Sequence, residues 1–287
     1  LLWTGGVLLV FPFLLLHGCA VAMDRDHAMT GLAVVQRTLE TNGLVLRWAE
    51  RLGSRGDQPV ILVHGTPGSS SDWRAQFRNP PPGVSLYALD RPGFHGSKPA
   101  LAEPHLEGQA QAVLDLARHV TNRKVILIGH SYGGPVVLLA ALEHPEKVAG
   151  VVLVGGCVDP DQEALWWIQH PFHYRALSWT IPQALRQSNR EIFTLKDDLI
   201  ALKPRLADLK VPVVMVHGTE DPLVPFENVA YLEAQLAAAG KGDLFTKQVH
   251  QGWNHFIPWE HPEAITAALG ELEARHAGVT PPRAPSR

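Results

Sequence analysis

Three residues in this chain have the types and spacing that acyl-transfer chemistry would use. Gly129-His130-Ser131-Tyr132-Gly133 matches the pattern G-x-S-x-G and puts a serine between two glycines directly after the apolar run Val125 to Ile128. A serine hydroxyl is a weak nucleophile at neutral pH, so it needs a base that is itself oriented by an acid. Asp221 follows the apolar run Val213 to Val216 within His217-Gly218-Thr219-Glu220-Asp221-Pro222, and His255 follows Phe245 to Val249 within Gly252-Trp253-Asn254-His255-Phe256. Nucleophile, acid and base therefore each stand just beyond a strand-like run. A fourth segment, His64-Gly65-Thr66-Pro67-Gly68, also follows such a run. It supplies the Thr66 backbone N–H, which together with that of Tyr132 could bind a tetrahedral oxyanion. Loss of one such donor typically costs about 2.7–4 kcal/mol of transition-state stabilisation. A Gly-rich loop can instead cradle phosphate, but this one has neither G-x-x-x-x-G-K-[ST] nor G-x-G-x-x-G.

A bare G-x-S-x-G arises by chance in roughly one chain of this length in ten, so the elements around it decide its value. Val60 to Val63, Val125 to Ile128, Val151 to Val154 and Val213 to Val216 are continuously apolar, as strands buried on both faces of a parallel sheet must be. Val45 to Trp48 and Leu86 to Leu89 read as further strands, and Phe245 to Val249 alternates enough to lie nearer an edge. Helices fit between them: Leu106 to Val120, Pro135 to Glu143, and a last one opened by Pro262 with Ile265, Leu269 and Leu272 on one face. Strands that alternate with helices predict an α/β domain with a mostly parallel central sheet flanked by helices, spanning residues 37–276. The loops beyond the carboxyl ends of parallel strands share one edge, so Ser131, Asp221 and His255 should meet there.

Between Val154 and Pro212 lies a long stretch without strand signal, rich in aromatics. It is far longer than an ordinary connection and predicts a helical cap over about residues 159–206, inserted between two late strands. Trp166 and Trp167 from this stretch, with Trp253 beside His255, are candidates for an apolar substrate pocket, although core packing explains such residues equally well.

These motifs together resemble the α/β-hydrolase superfamily from about Leu44 to Arg275. The resemblance implies the α/β-hydrolase fold with Ser131 as nucleophile, Asp221 as acid, His255 as base and the amides of Thr66 and Tyr132 as oxyanion hole. It implies a small-molecule acyl substrate and no cofactor. Asp90-Arg91-Pro92-Gly93-Phe94-His95-Gly96-Ser97 resembles the family's D-x-x-G-x-G-x-S segment, with His95 where glycine is usual. A serine nucleophile disfavours the dehalogenase and epoxide hydrolase branches. A variant of the family places the acid after the preceding strand, where Asp159 stands, and the resemblance ranks it below Asp221. The expected activity is hydrolysis of an ester or related acyl bond. The alternatives are another serine-triad reaction, namely C–C bond hydrolysis, peptidase, acyltransferase or perhydrolase chemistry, or a non-catalytic binding role in the cell envelope.

The remaining composition narrows the function classes. The 287 residues include 25 basic and 28 acidic side chains, a formal charge of −3, and 46% hydrophobic residues. That balance excludes a disordered chain and lacks the clustered Lys and Arg of a nucleic-acid binder. The two cysteines, Cys19 and Cys157, exclude a disulfide scaffold and a Cys-rich zinc site. Fifteen histidines raise the question of a metal, but His170 with His173 and His250 with His255 have no adjoining ligand cluster, so no metal is expected. Cys157, after a buried strand, reads as a small core residue rather than a nucleophile. Residues 1–23 carry no formal charge and hold an apolar run of signal-peptide length from Val7 to Leu16, read as a signal peptide or membrane anchor. Leu16-His17-Gly18-Cys19 resembles a bacterial lipobox, which would make Cys19 a lipid attachment site and the protein membrane-anchored in a bacterial cell envelope rather than cytoplasmic. Residues 278–287 hold three prolines and read as a disordered tail.

Overall fold

The computed structural model describes residues 29–276, apart from 166, 168 and 174 and the side chains of 175, 176 and 276. Cys19, the rest of the N-terminal segment, Trp166 and the tail lie outside the described residues. The core is one eight-stranded sheet in the order β1-β2-β4-β3-β5-β6-β7-β8. Its strands are β1 (Val35–Thr41), β2 (Leu44–Arg51), β3 (Gln58–Val63), β4 (Val84–Asp90), β5 (Val125–His130), β6 (Val148–Val154), β7 (Val213–Gly218) and β8 (Phe245–His250). β1 and β2 pair antiparallel, β2 joins β4 antiparallel, and all later pairings are parallel.

The continuous apolar runs are explained by burial on both faces. Along β3, Ile61 and Val63 enter one apolar cluster while Val60 and Leu62 enter the other, and β5, β6 and β7 divide in the same way. On one face pack α2 (Leu106–Val120) and α3 (Gly133–Glu143). The other face is covered by α1 (Arg74–Arg78), α8 (Ile257–Glu260) and α9 (Pro262–His276). Ile265, Leu269 and Leu272 of α9 are each at most 2% exposed, as the single apolar stripe of that helix requires. No helix among the described residues is long and apolar enough to cross a membrane.

Between β6 and β7 the chain forms α4 (Gln169–His173), α5 (Arg175–Ser178) and the long α6 (Gln183–Leu202), and α7 (Glu227–Ala238) follows β7. The insertion is thus helical, but α6 is more than a cover. Leu195, Leu199 and Leu202, at i, i+4 and i+7, are buried in the main apolar cluster, so its C-terminal half serves as an ordinary flanking helix. The sequence pattern does not reveal β1, whose residues Val35-Gln36-Arg37-Thr38 are exposed. As an edge strand it needs little apolar character, and its partner β2 fixes its register.

Candidate active site

Ser131 occupies the first residue after β5, with φ of +53°. This left-handed conformation is rare for a residue with a Cβ and marks a strained turn. The flanking glycines make the turn possible. A Cβ on Gly129 would stand 2.1 Å from the carbonyl oxygen of Gly133, and one on Gly133 would stand 2.4 Å from that of Val63. Both obstacles are backbone and cannot swing aside. Gly133→Ala is therefore expected to cost about 3 kcal/mol in urea denaturation, since strand β3 or the serine turn must move to admit the methyl group.

The neighbouring loops are laced together at the same edge. Ser131 N–H donates to the Val154 carbonyl at the end of β6 (3.0 Å), and Gly155 N–H to that of Val216 in β7 (2.9 Å). Thr219 N–H donates to the His250 carbonyl at the end of β8 (3.0 Å) and Glu220 N–H to that of Trp253 (3.0 Å). Each loop beyond a strand is thus tied to the next strand or its loop, which fixes Asp221 relative to His255. Nδ1–H of His255 donates to Oδ2 of Asp221 at 2.7 Å, and both side chains are at most 5% exposed. This bond leaves Nε2 as the nitrogen available to a substrate or nucleophile. Oδ1 of Asp221 accepts from Leu223 N–H (2.9 Å) and Val224 N–H (2.8 Å). Burial pulls the Asp221 carboxyl upward, but the hydrogen bond and charge of His255 and these two amides outweigh it and hold it below the ordinary carboxylate range.

The three histidines that end strands have other roles. Burial lowers His64 well below the imidazole range, helped by the charge of Arg91, and burial with the charge of His255 lowers His130 to about 3. Burial lowers His217 too. Neutral, they brace the loops: Nε2–H of His130 donates to the His255 carbonyl (3.0 Å) and Nε2–H of His217 to that of Val224 (3.0 Å). Asp159, the second acid weighed from sequence, instead caps the turn Pro160–Gln162, accepting from Asp161 N–H at 3.0 Å. Cys157 is buried, and burial pushes its thiol well above the usual range, so it is not a thiolate nucleophile.

Ser131, His255, Thr66 and Tyr132 line one cavity of about 490 Å³. Tyr132 stands at the N-cap of α3, where the backbone N–H groups have no intrahelical acceptor and the helix dipole favours negative charge. The aromatic wall is a correction to the sequence reading. Trp167 is 81% exposed, and Trp253 is stacked between the imidazoles of His250 (3.8 Å) and His261 (3.6 Å); neither is among the cavity-lining residues. Phe256 and Trp259, one and four residues beyond His255, take that place. Their closeness to His255 in the chain was the signal available in the sequence.

Sequence reasoning also missed an ion pair beneath the site. Arg91 and Glu191, both fully buried, bond through Nη1 to Oε1 (2.8 Å) and Nη2 to Oε2 (3.0 Å). Arg91 further donates from Nε to the His64 carbonyl (3.0 Å) and from Nη2 to that of Gly65 (2.8 Å). Glu191 Oε2 accepts from the Thr66 hydroxyl at 2.6 Å. A helix of the insertion is thereby fastened to the loop that carries the Thr66 amide. In the same Asp90-to-Ser97 segment His95 has φ of +48°, the reason glycine suits that position.

His170 and His173 pack on the ring of Phe193, the latter stacked at 4.0 Å. Among the described residues a group with metal-ligand atoms within 4.8 Å of one another is His105, Glu107 and Asp198. None of the three is among the cavity-lining residues, and a His105–Asp198 hydrogen bond of 2.8 Å joins two of them.

Residues 58–175 match the family model described as the alpha/beta hydrolase fold. The chain is 38% identical over 117 residues to the dihydrolipoyllysine-residue acetyltransferase component of the acetoin cleaving system of Pseudomonas putida, covering 40% of this chain and 31% of that one. It is 24% identical over 264 residues to the 2-hydroxy-6-oxononadienedioate/2-hydroxy-6-oxononatrienedioate hydrolase of Paraburkholderia xenovorans (strain LB400), covering 77% and 88%. The match spans 31% to 57% of the length of the first curated relatives. Among solved structures, a putative aryl esterase from Burkholderia cenocepacia superimposes with a TM-score of 0.66 at 20% identity, covering 85% of this chain and 100% of that one. The sheet order, the match over residues 58–175 and the structural likeness agree that the fold of this chain is the α/β-hydrolase fold.

Proposed function

We propose that the protein is a serine hydrolase that cleaves an ester or related acyl bond through an acyl-enzyme intermediate. The observation that carries this reading is the buried 2.7 Å bond from His255 to Asp221, in a cavity shared with a serine held at positive φ. Ser131 Oγ adds to the substrate carbonyl while His255 Nε2 takes its proton. The oxyanion forms against the Thr66 and Tyr132 amides, and collapse expels the alcohol, which leaves with the proton from His255. Water then attacks the acyl-enzyme, giving its proton to the same nitrogen, and the acid and free serine are released. Asp221 stays ionised and holds His255 in the tautomer with its proton on Nδ1.

Asp221→Asn keeps the shape but reverses the hydrogen-bond demand on Nδ1, so kcat should fall by about 10³–10⁴-fold. Asp159→Asn, whose side chain caps the turn Pro160–Gln162 and makes no hydrogen bond to His255 among the described residues, should leave kcat on uncharged esters within about twofold. Assay of both variants on short and long p-nitrophenyl esters, an anilide and a lactone tests the assignment and the bond type together. A large loss in Asp159→Asn with none in Asp221→Asn would reassign the acid. Turnover confined to the anilide would replace the ester reading with a peptidase-like one.

A further inference from the structure

The cavity lining contains two carboxyl groups that this hydrolytic cycle does not use, Asp72 and Glu163. Asp72 belongs to the 3₁₀ turn Ser70–Trp73 and lies against the Gly65-to-Gly68 loop. Its Oδ2 accepts from Ser69 N–H at 3.3 Å and would stand 2.5 Å from a Cβ on Gly68. Glu163 follows the turn Pro160–Gln162 in the insertion and makes no hydrogen bond or ion pair among the described residues. The rest of the lining is apolar, such as Ile192, Leu223 and Trp259, or neutral, such as Gln169 and Ser188. Among the described residues no Lys or Arg lines it, and His130 is held neutral there.

Two carboxyl groups in the wall, with ionised Asp221 behind His255, make the potential in this space negative. An anionic substrate group would give up its water for walls that offer no cation, whereas a cationic group would find two acceptors. We propose that the cavity selects acyl substrates by charge, excluding those with an anionic group and favouring those with an ammonium-type cation, with Asp72 and Glu163 as the selecting groups. The proposal rests on the hydrolase reading above.

The two carboxyls also make the selection depend on pH. Burial, joined by the charge of Asp90, raises Asp72 to about 7 against the pull of the Ser69 amide, Arg91 and His95. Burial and Asp159 raise Glu163 to about 7 against the pull of Lys196. Both therefore gain charge as pH rises through neutrality, and discrimination against anions should widen across that window. Whatever acts on the bond-breaking step common to all esters cancels in the ratio of two substrates.

The test uses three aryl acetates that differ only in a neutral methyl, a cationic trimethylammonio or an anionic carboxylate substituent, each kcat/KM divided by that ester's hydroxide hydrolysis rate. At pH 8 the corrected cation-to-anion ratio should be about tenfold or more and should shrink at pH 6. Glu163→Gln, which breaks no hydrogen bond among the described residues, should cut the ratio at least about threefold, and Glu163→Gln with Asp72→Asn should bring it near unity. Equal corrected rates for all three esters, or a ratio that neither variant changes, would overturn charge selection while leaving the hydrolase standing. No turnover of any ester, together with no fluorophosphonate labelling, would overturn the hydrolase reading itself.

Discussion

Ser131→Ala should remove hydrolysis almost completely, by about 10⁴–10⁶-fold in kcat, and should abolish labelling by a fluorophosphonate probe. The hydroxyl is the group that bonds to the substrate carbon, and no neighbour can replace it. The Cys157 thiol is buried and held protonated, and the Thr66 hydroxyl donates to Glu191. The substitution should be gentle on the fold, because alanine has the same Cβ at the same φ of +53° and the amide that bonds Val154 is unchanged. Ser131→Gly supplies a second control: equally inactive, but relieved of the positive-φ strain and so at least as stable as wild type. Mass spectrometry of the labelled protein locates the adduct. An adduct that persists in both variants would move the nucleophile elsewhere.

The second large effect is one of stability. Glu191→Ala should lower the unfolding free energy by about 3–5 kcal/mol, measured by urea denaturation, because it leaves Arg91 as a fully buried charge without its carboxylate. The Arg91 guanidinium lies 4.7 Å from the ring centroids of both Phe94 and Tyr132, so it has no route to water. Arg91→Met combined with Glu191→Leu should cost less than the single loss, since both charges then disappear together. It should still impair catalysis, because the carbonyls of His64 and Gly65 and the hydroxyl of Thr66 lose their partners and the oxyanion loop loosens. A double variant as unstable as Glu191→Ala would show that the hydrogen bonds to the loop, and not the paired charge, dominate.

Several features were legible in the linear pattern because they depend on neighbours close in sequence. Val60 to Val63, Val125 to Ile128, Val151 to Val154 and Val213 to Val216 are strands buried on both faces, and continuous apolar character is the local consequence of that environment. Gly129 is likewise local, since the turn folds it onto the Gly133 carbonyl, whereas the need for glycine at 133 comes from the carbonyl of Val63 on β3. β1 was not legible, because an exposed edge strand needs no apolar stripe. The substrate wall was misjudged for a related reason. Tryptophan content marks either core or pocket, and only side-chain direction separates Trp253, stacked on histidines, from Trp259, turned to the cavity.

By itself, then, the sequence determined the alternation of strands and helices, the serine turn, and the order in which serine, aspartate and histidine follow their strands, all of which are set by contacts within a few residues. Only the tertiary structure decided that Asp221 and not Asp159 holds His255, that α6 is fastened through Glu191 to Arg91 and Thr66, and that two carboxyls and, among the described residues, no Lys or Arg line the cavity. Those are contacts between distant segments. Their energies depend on the burial and direction of single side chains, and no local pattern of residue types encodes them.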